Sequence, residues 1–152
     1  MTTALHTLLE HAVSQRDEAL AALLQAEQAA QRLRLQAEQL HTYRGEYRER
    51  GPTRAGSAAP AELLHCHHSF MQRLDQALGQ QHGQLQTAEA RVVQLRGALL
   101  ALETRVASVR KLLDRRAQEQ RRVAARQEQR RNDEAAMQRH WHQRGRAAPA
   151  TY

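Results

Sequence analysis

The sequence contains few of the residues that build or cross-link a compact domain. Of its 152 residues, 3% are aromatic, three are proline and one is cysteine. A compact core needs bulky side chains, whereas Ala, Leu, Gln, Glu and Arg dominate here, as they do in long helices and coiled coils. The single cysteine, Cys66, excludes an intrachain disulfide framework and indicates a reducing compartment.

Other absences exclude further classes of protein. No apolar run reaches the length of a membrane span, and no basic segment followed by an apolar run marks a signal peptide at the N-terminus. We therefore expect a cytoplasmic protein. The seven glycines are scattered and form no phosphate-binding loop. Two long helices offer no pocket for a catalytic triad, so we predict a non-enzyme without a cofactor.

The sequence contains two long stripes of apolar residues with heptad spacing. Taken in alternating steps of three and four, the residues from Leu64 to Leu113 are apolar except for His67 and Gln81. Such a heptad stripe must be buried against another helix. A second, alanine-rich stripe runs from Leu5 to Tyr47. It is widened by four leucines: Leu8, Leu20, Leu24 and Leu35.

These stripes predict an all-α fold, an elongated antiparallel two-helix coiled-coil hairpin with a longer, basic second helix. Gly51 and Pro52 end the first helix, and Ser57 or Ala59 caps the second. We expect a single domain, 1–152, comprising helix 3–50, linker 51–59, helix 60–142 and a frayed tail 143–152.

A short linker also predicts the register of the two helices. Folding at about residue 55 places residue i opposite roughly residue 110 − i, if both helices have the same rise. The chain beyond about Arg110 then has no partner within the molecule. Gly79 and Gly83 each cost roughly 1 kcal/mol in a helix interior. They leave two alternatives open, a bend at 79–83 or one continuous helix.

The positive charge is concentrated at one end. The segment from Arg110 to Arg146 has 12 basic and 5 acidic residues, an excess equal to the net charge of +7. This asymmetry predicts an acidic partner. Nucleic acid is one candidate, because basic helices bind it.

The run His65-Cys66-His67-His68 suggests a metal site, but its spacing argues against one. Chelating residues on a helix lie three or four positions apart, and adjacent residues point about 100° apart. Only His65 and His68 face the same way, and two ligands do not close a site. We predict no bound metal.

Aromatic residues gather near the turn. The hairpin brings Tyr43 and Tyr47 close to Phe70 and Leu74. Two interpretations remain open at this point. The rings either seal the end of the hairpin or form a partner-binding surface, since exposed aromatics suit an interface.

The sequence as a whole resembles the FliJ family of flagellar export proteins. The resemblance lies in LLEHAVSQRDEALAALLQAE near the start, LHTYRGEY before the break, FMQRLDQALGQQ after it and RRAQEQRR with EQRRNDEAAMQRHW near the end. It implies a stalk-like coiled coil in flagellar type III export and motility, on the cytoplasmic side of the inner membrane at the basal body. The implied partners are the export ATPase FliI, the export gate protein FlhA and export chaperones.

The resemblance also implies two binding sites. The gate-binding residues would be Gln36, Leu40, Tyr43, Tyr47, Phe70, Leu74, Ala77 and Gln81. The residues toward the ATPase ring would be Arg115, Arg116, Arg121, Arg122, Arg126, Arg130 and Arg131. The alternatives are the corresponding stalk protein of a virulence-type secretion system, a nucleic-acid-associated basic coiled coil and a self-associating structural coiled coil.

Overall fold

The computed structural model describes residues 2–51 and 60–147, and these form two α-helices. Helix α1 spans Thr2–Glu49 and helix α2 spans Ala61–Arg146. The prediction of an all-α helical hairpin is confirmed. Most of the linker predicted at 51–59, including the capping residues Ser57 and Ala59, lies outside the described residues.

Helix α2 is longer than predicted and has no break. It passes through Gly79 and Gly83 and continues to Arg146, so residues 143–146 belong to the helix rather than to a frayed tail. Its last turn carries Arg144 and Arg146, whose charges favour the negative end of the helix dipole. Of the two alternatives at 79–83, the structure has the continuous helix.

Contacts divide the chain into two units. One comprises His11–Arg105, and the other comprises Met1–Glu10 with Val106–Tyr152. A single elongated domain therefore stays a prediction.

The core of the first unit follows the predicted stripes. Leu23 and Ala30 of α1 pack with Val92 and Leu99 of α2, and all four are buried. Three alanines and a leucine on the same stripes complete the cluster: Ala19, Ala26, Ala88 and Leu95. Small side chains let the two backbones approach closely, so this core is narrow.

Ion pairs across the first unit give the direction and register of the helices. Glu27 pairs with Arg96 and Arg34 with Glu89, so the partner number falls as the α1 number rises, and the helices are antiparallel. Residue i of α1 lies opposite about residue 120 − i, and the expected 110 − i is wrong. The reason lies at the start of α2, where residues 61–66 are all exposed and extend beyond the last turn of α1.

The four leucines expected to widen the α1 stripe do not join the core. Leu8, Leu20, Leu24 and Leu35 are 37–51% exposed. Two helices bury only the strip between them, and residues one position outside that strip stay in solvent. The buried stripe of α2 also ends later than expected, since Ala117 is still half-buried and every residue from 118 to 147 is exposed.

Candidate partner-binding surfaces

An aromatic cluster lies along one side of the hairpin, near the end of α1. The ring centroid of Tyr47 is 4.5 Å from that of Phe70, 5.1 Å from that of His67 and 6.3 Å from that of Tyr43. His67 stacks on Tyr47 with an interplanar angle of 13°. Tyr47 is therefore the centre of the cluster, and its ring joins the two helices.

A pair of amides continues this side of the hairpin. Gln81 Nε2 donates to Gln36 Oε1 at 3.0 Å and lies 3.4 Å from the carbonyl oxygen of Leu33. These bonds explain why a glutamine is tolerated in the apolar stripe of α2, because its polar group has partners where it is half-buried. We call Gln36, Tyr43, Tyr47, His67, Phe70, Ala77 and Gln81 the aromatic flank.

The predicted gate-binding residues differ in their accessibility. Leu74 is 8% exposed and belongs to the core, so its side chain offers little surface to a partner. Tyr43 is 49% exposed, whereas Tyr47 and Phe70 are half-buried. Leu40 and Ala77 are also half-buried. The cluster thus seals the interhelical strip through Tyr47 and leaves the ring of Tyr43 in solvent.

Sequence reasoning did not place His67 in this cluster. The heptad pattern makes His67 a polar interruption of the apolar stripe, whereas in the structure its ring fills that stripe position and stacks on Tyr47. A signal was present in the spacing, because His67 precedes Phe70 by three residues and so shares its side of the helix. A Cβ atom added at Gly51 would lie 3.7 Å from His67 Nε2, so a larger residue at this position would contact the ring.

The opposite side of the hairpin carries ion pairs. Glu27–Arg96 and Arg34–Glu89 are each 3.0 Å apart, and Arg44 Nε lies 2.6 Å from Asp75 Oδ1. All are partly in solvent, where such pairs contribute little stability. Four exposed apolar residues flank these pairs along the same two helix faces. We call this side the charged flank. It comprises Leu20, Leu24, Glu27, Arg34, His41 and Arg44 of α1 and Asp75, His82, Glu89, Val93, Arg96 and Leu100 of α2.

The basic segment of α2 presents its arginines in all directions. The seven predicted residues, Arg115, Arg116, Arg121, Arg122, Arg126, Arg130 and Arg131, are all exposed. Arg116, Arg121, Arg126 and Arg131 follow one another at intervals of five, which turns each about 140° from the last. Within the described residues 110–147, ion pairing is confined to Arg122 and Glu119, 3.6 Å apart. The charge therefore surrounds the helix and is almost free of intramolecular partners.

The histidine and cysteine run shows no geometry for a metal. His65, Cys66 and His68 are exposed, and residues 2–51 and 60–147 contain no group of three or more potential metal-ligating side chains. In the same described ranges, no helix combines the length and hydrophobicity needed to cross a membrane.

These observations define a class, the antiparallel α-helical hairpins, here with two unlike flanks and a basic helical segment. Comparison with known families then identifies the chain more closely. The family model described as flagellar FliJ protein matches residues 1–145, and the chain belongs to this family. It is accordingly a component of the flagellar export apparatus. Searches of curated proteins and of solved structures found no match.

Proposed function

We propose that this protein is the non-enzymatic stalk of the flagellar export apparatus, which couples the ring of the export ATPase FliI to the export gate protein FlhA and handles export chaperones. Its location would be the cytoplasmic side of the inner membrane at the basal body. The observation that carries the proposal is the all-round distribution of unpaired arginines on α2.

A helix with charge on every side fits a partner that encloses it. A flat acidic surface or a nucleic-acid groove contacts one face of a helix and leaves charges on the far face unpaired. The lumen of an ATPase ring reaches all faces at once, so Arg121, Arg126 and Arg131 would each meet an acidic or polar wall. This favours the ring over nucleic acid. The match to a flagellar family favours the flagellar stalk over its virulence-type counterpart.

The aromatic flank supports a second, separate contact. Tyr43 combines an exposed ring with a packed neighbour, because the ring of Tyr47 lies 6.3 Å from it and itself packs on Phe70. Rigid, exposed aromatics are typical anchors of protein interfaces. We assign the gate contact to this flank, with Tyr43 as its main anchor and Gln36 and Gln81 at its polar edge.

The decisive experiment measures turnover and ring assembly of the export ATPase with and without the full-length chain. We expect the chain to increase both. Replacement of Arg121, Arg126 and Arg131 by Gln should remove most of the stimulation. The matched control replaces three exposed arginines outside the segment, Arg32, Arg48 and Arg73, by Gln and should retain it. Equal loss in both variants, or no stimulation by the wild type, would refute the ring assignment.

The gate contact is tested separately by binding to the purified cytoplasmic part of FlhA. Tyr43→Ala should weaken binding, while Leu35→Ala should not, although Leu35 has nearly the same exposure, 48% against 49%. Unchanged binding of Tyr43→Ala would contradict the assignment of the aromatic flank to the gate.

A further inference from the structure

Four apolar side chains on the charged flank are exposed and lie outside the buried core of the described residues. Leu20, Leu24, Val93 and Leu100 are 41%, 51%, 68% and 65% exposed. Leu20 and Leu24 precede Glu27 by seven and three residues. Val93 lies three residues before Arg96 and Leu100 four residues after it. Helical spacing therefore places all four side chains on the same helix faces as the ion pairs. A cluster of exposed apolar residues among charges is typical of a protein interface.

A groove lies on the same flank, on the other side of the ion pairs. Its volume is about 580 Å³, its floor is made by Ala37, Leu78 and Leu85, and His41 and His82 stand at its walls. Gly79 lines it, and among the described residues a Cβ added there would have no neighbour within 4 Å beyond the adjoining residues and backbone of α2 itself. The groove is therefore open space of apolar character, on the same flank as the exposed leucines.

The charges between the leucines and the groove are self-complementary. Along α1 an acid, Glu27, precedes a base, Arg34, by seven residues. Along α2 an acid, Glu89, precedes a base, Arg96, by the same distance. Helices of a second copy that run in the opposite direction would place each acid over a base and each base over an acid.

We propose that the charged flank binds a second copy of this chain across a two-fold axis. The axis would lie in the plane of the flank, perpendicular to the helices, midway between residues 30 and 31 of α1 and between residues 92 and 93 of α2. Leu24 lies as far on one side of this axis as Ala37 lies on the other, and Leu100 and Leu85 are related in the same way. The exposed leucines of each copy therefore enter the groove of the other, and Val93 meets Val93 at the axis.

The size of the flank suits such a contact. From Leu20 to Arg44 it is about 36 Å long at 1.5 Å per residue, and two helices side by side are about 20 Å wide. The footprint is on the order of 700 Å² per copy, close to the roughly 800 Å² per partner of a standard interface. Because one patch contacts itself, the dimer closes and does not grow into filaments.

A second copy is favoured over an unrelated helix because leucines, charges and groove all obey the same two-fold relation. An unrelated partner would need to match only part of this pattern. The proposal goes beyond the stalk function and leaves the aromatic flank outside the contact.

The first test is the mass of the full-length protein in solution, measured by light scattering or sedimentation over a range of concentrations. We expect a reversible dimer. The double variant Leu24→Glu with Leu100→Glu should raise its Kd by about tenfold or more, because each glutamate would enter an apolar groove. The matched control, Leu35→Glu with Leu112→Glu, changes two leucines that are both 48% exposed outside the flank and should leave the Kd unchanged. Circular dichroism checks that each variant keeps its helix content.

The second test locates the axis by disulfide cross-linking in a Cys66→Ala background. Val93→Cys should form a covalent dimer under mild oxidation, whereas Leu35→Cys should not. A chain that stays monomeric at high micromolar concentration would overturn the proposal. A dimer that cross-links through position 35, or that resists the flank variant, would also overturn it. The groove would then belong to another partner.

Discussion

The two flanks of the hairpin have the same helical framework and carry different chemistry. The aromatic flank joins the helices through stacked rings and amide hydrogen bonds, around Tyr47 and Gln81. The charged flank joins them through exposed ion pairs and leaves apolar side chains in solvent. The stripe between the helices decides that they pair, and the residues one position outside it decide what each side can bind.

The largest expected change in stability comes from a substitution in the buried stripe between the helices. Leu74→Ala removes a nearly buried side chain, and we expect it to lower the free energy of unfolding by about 2–4 kcal/mol. Chemical denaturation followed by circular dichroism measures this. A change below about 0.5 kcal/mol, the range of surface positions, would show that Leu74 is not part of the core. It would then be available to a partner.

Within the aromatic flank, the two tyrosines should contribute unequally to the stability of the fold. Tyr47→Ala loses ring contacts with Tyr43, His67 and Phe70, and we expect a loss of about 1–2 kcal/mol in unfolding free energy. Tyr43→Ala removes a largely exposed ring and should change stability by less than about 0.5 kcal/mol. Denaturation of both variants side by side tests this division. Equal losses would mean that Tyr43 is as structural as Tyr47.

On the charged flank, a substitution at Gly79 tests how much free space the groove contains. Gly79→Ala should raise the free energy of unfolding by about 1 kcal/mol, because alanine favours the helix and the new Cβ would meet no other part of the described chain within 4 Å. Thermal unfolding at low protein concentration separates this effect from dimer formation. A lower melting temperature would show that the groove is more constrained than its geometry indicates.

The smallest expected change in stability comes from breaking an ion pair. Arg34→Gln breaks the pair with Glu89, whose side chain is 48% exposed, and we expect at most about 0.5 kcal/mol of lost stability because water screens the pair. The same substitution should weaken self-association, which sedimentation detects. Lost stability of about 2 kcal/mol would assign these residues to the fold rather than to a contact.

The heptad repeat predicted the two helices and their packing stripes. It failed for features that depend on which residues of the two helices lie opposite each other. The seven-residue repeat identified the packing stripes, because burial along a helix depends only on which residues share a face. It missed the register by about ten positions, because residues 61–66 at the start of α2 are exposed and stay outside the pairing. It also missed His67, since the stacking partner, Tyr47, belongs to the other helix.

By itself, the sequence determined that the chain forms two helices, that they pair along Leu, Val and Ala, and that the positive charge gathers at one end. These properties follow from periodicity and composition, which act locally. Tertiary structure alone decided which residues flank the strip on each side. It separated Leu74 in the core from Tyr43 in solvent and brought exposed leucines, ion pairs and groove onto one flank. That arrangement depends on the relative register of two helices, which no short-range pattern contains.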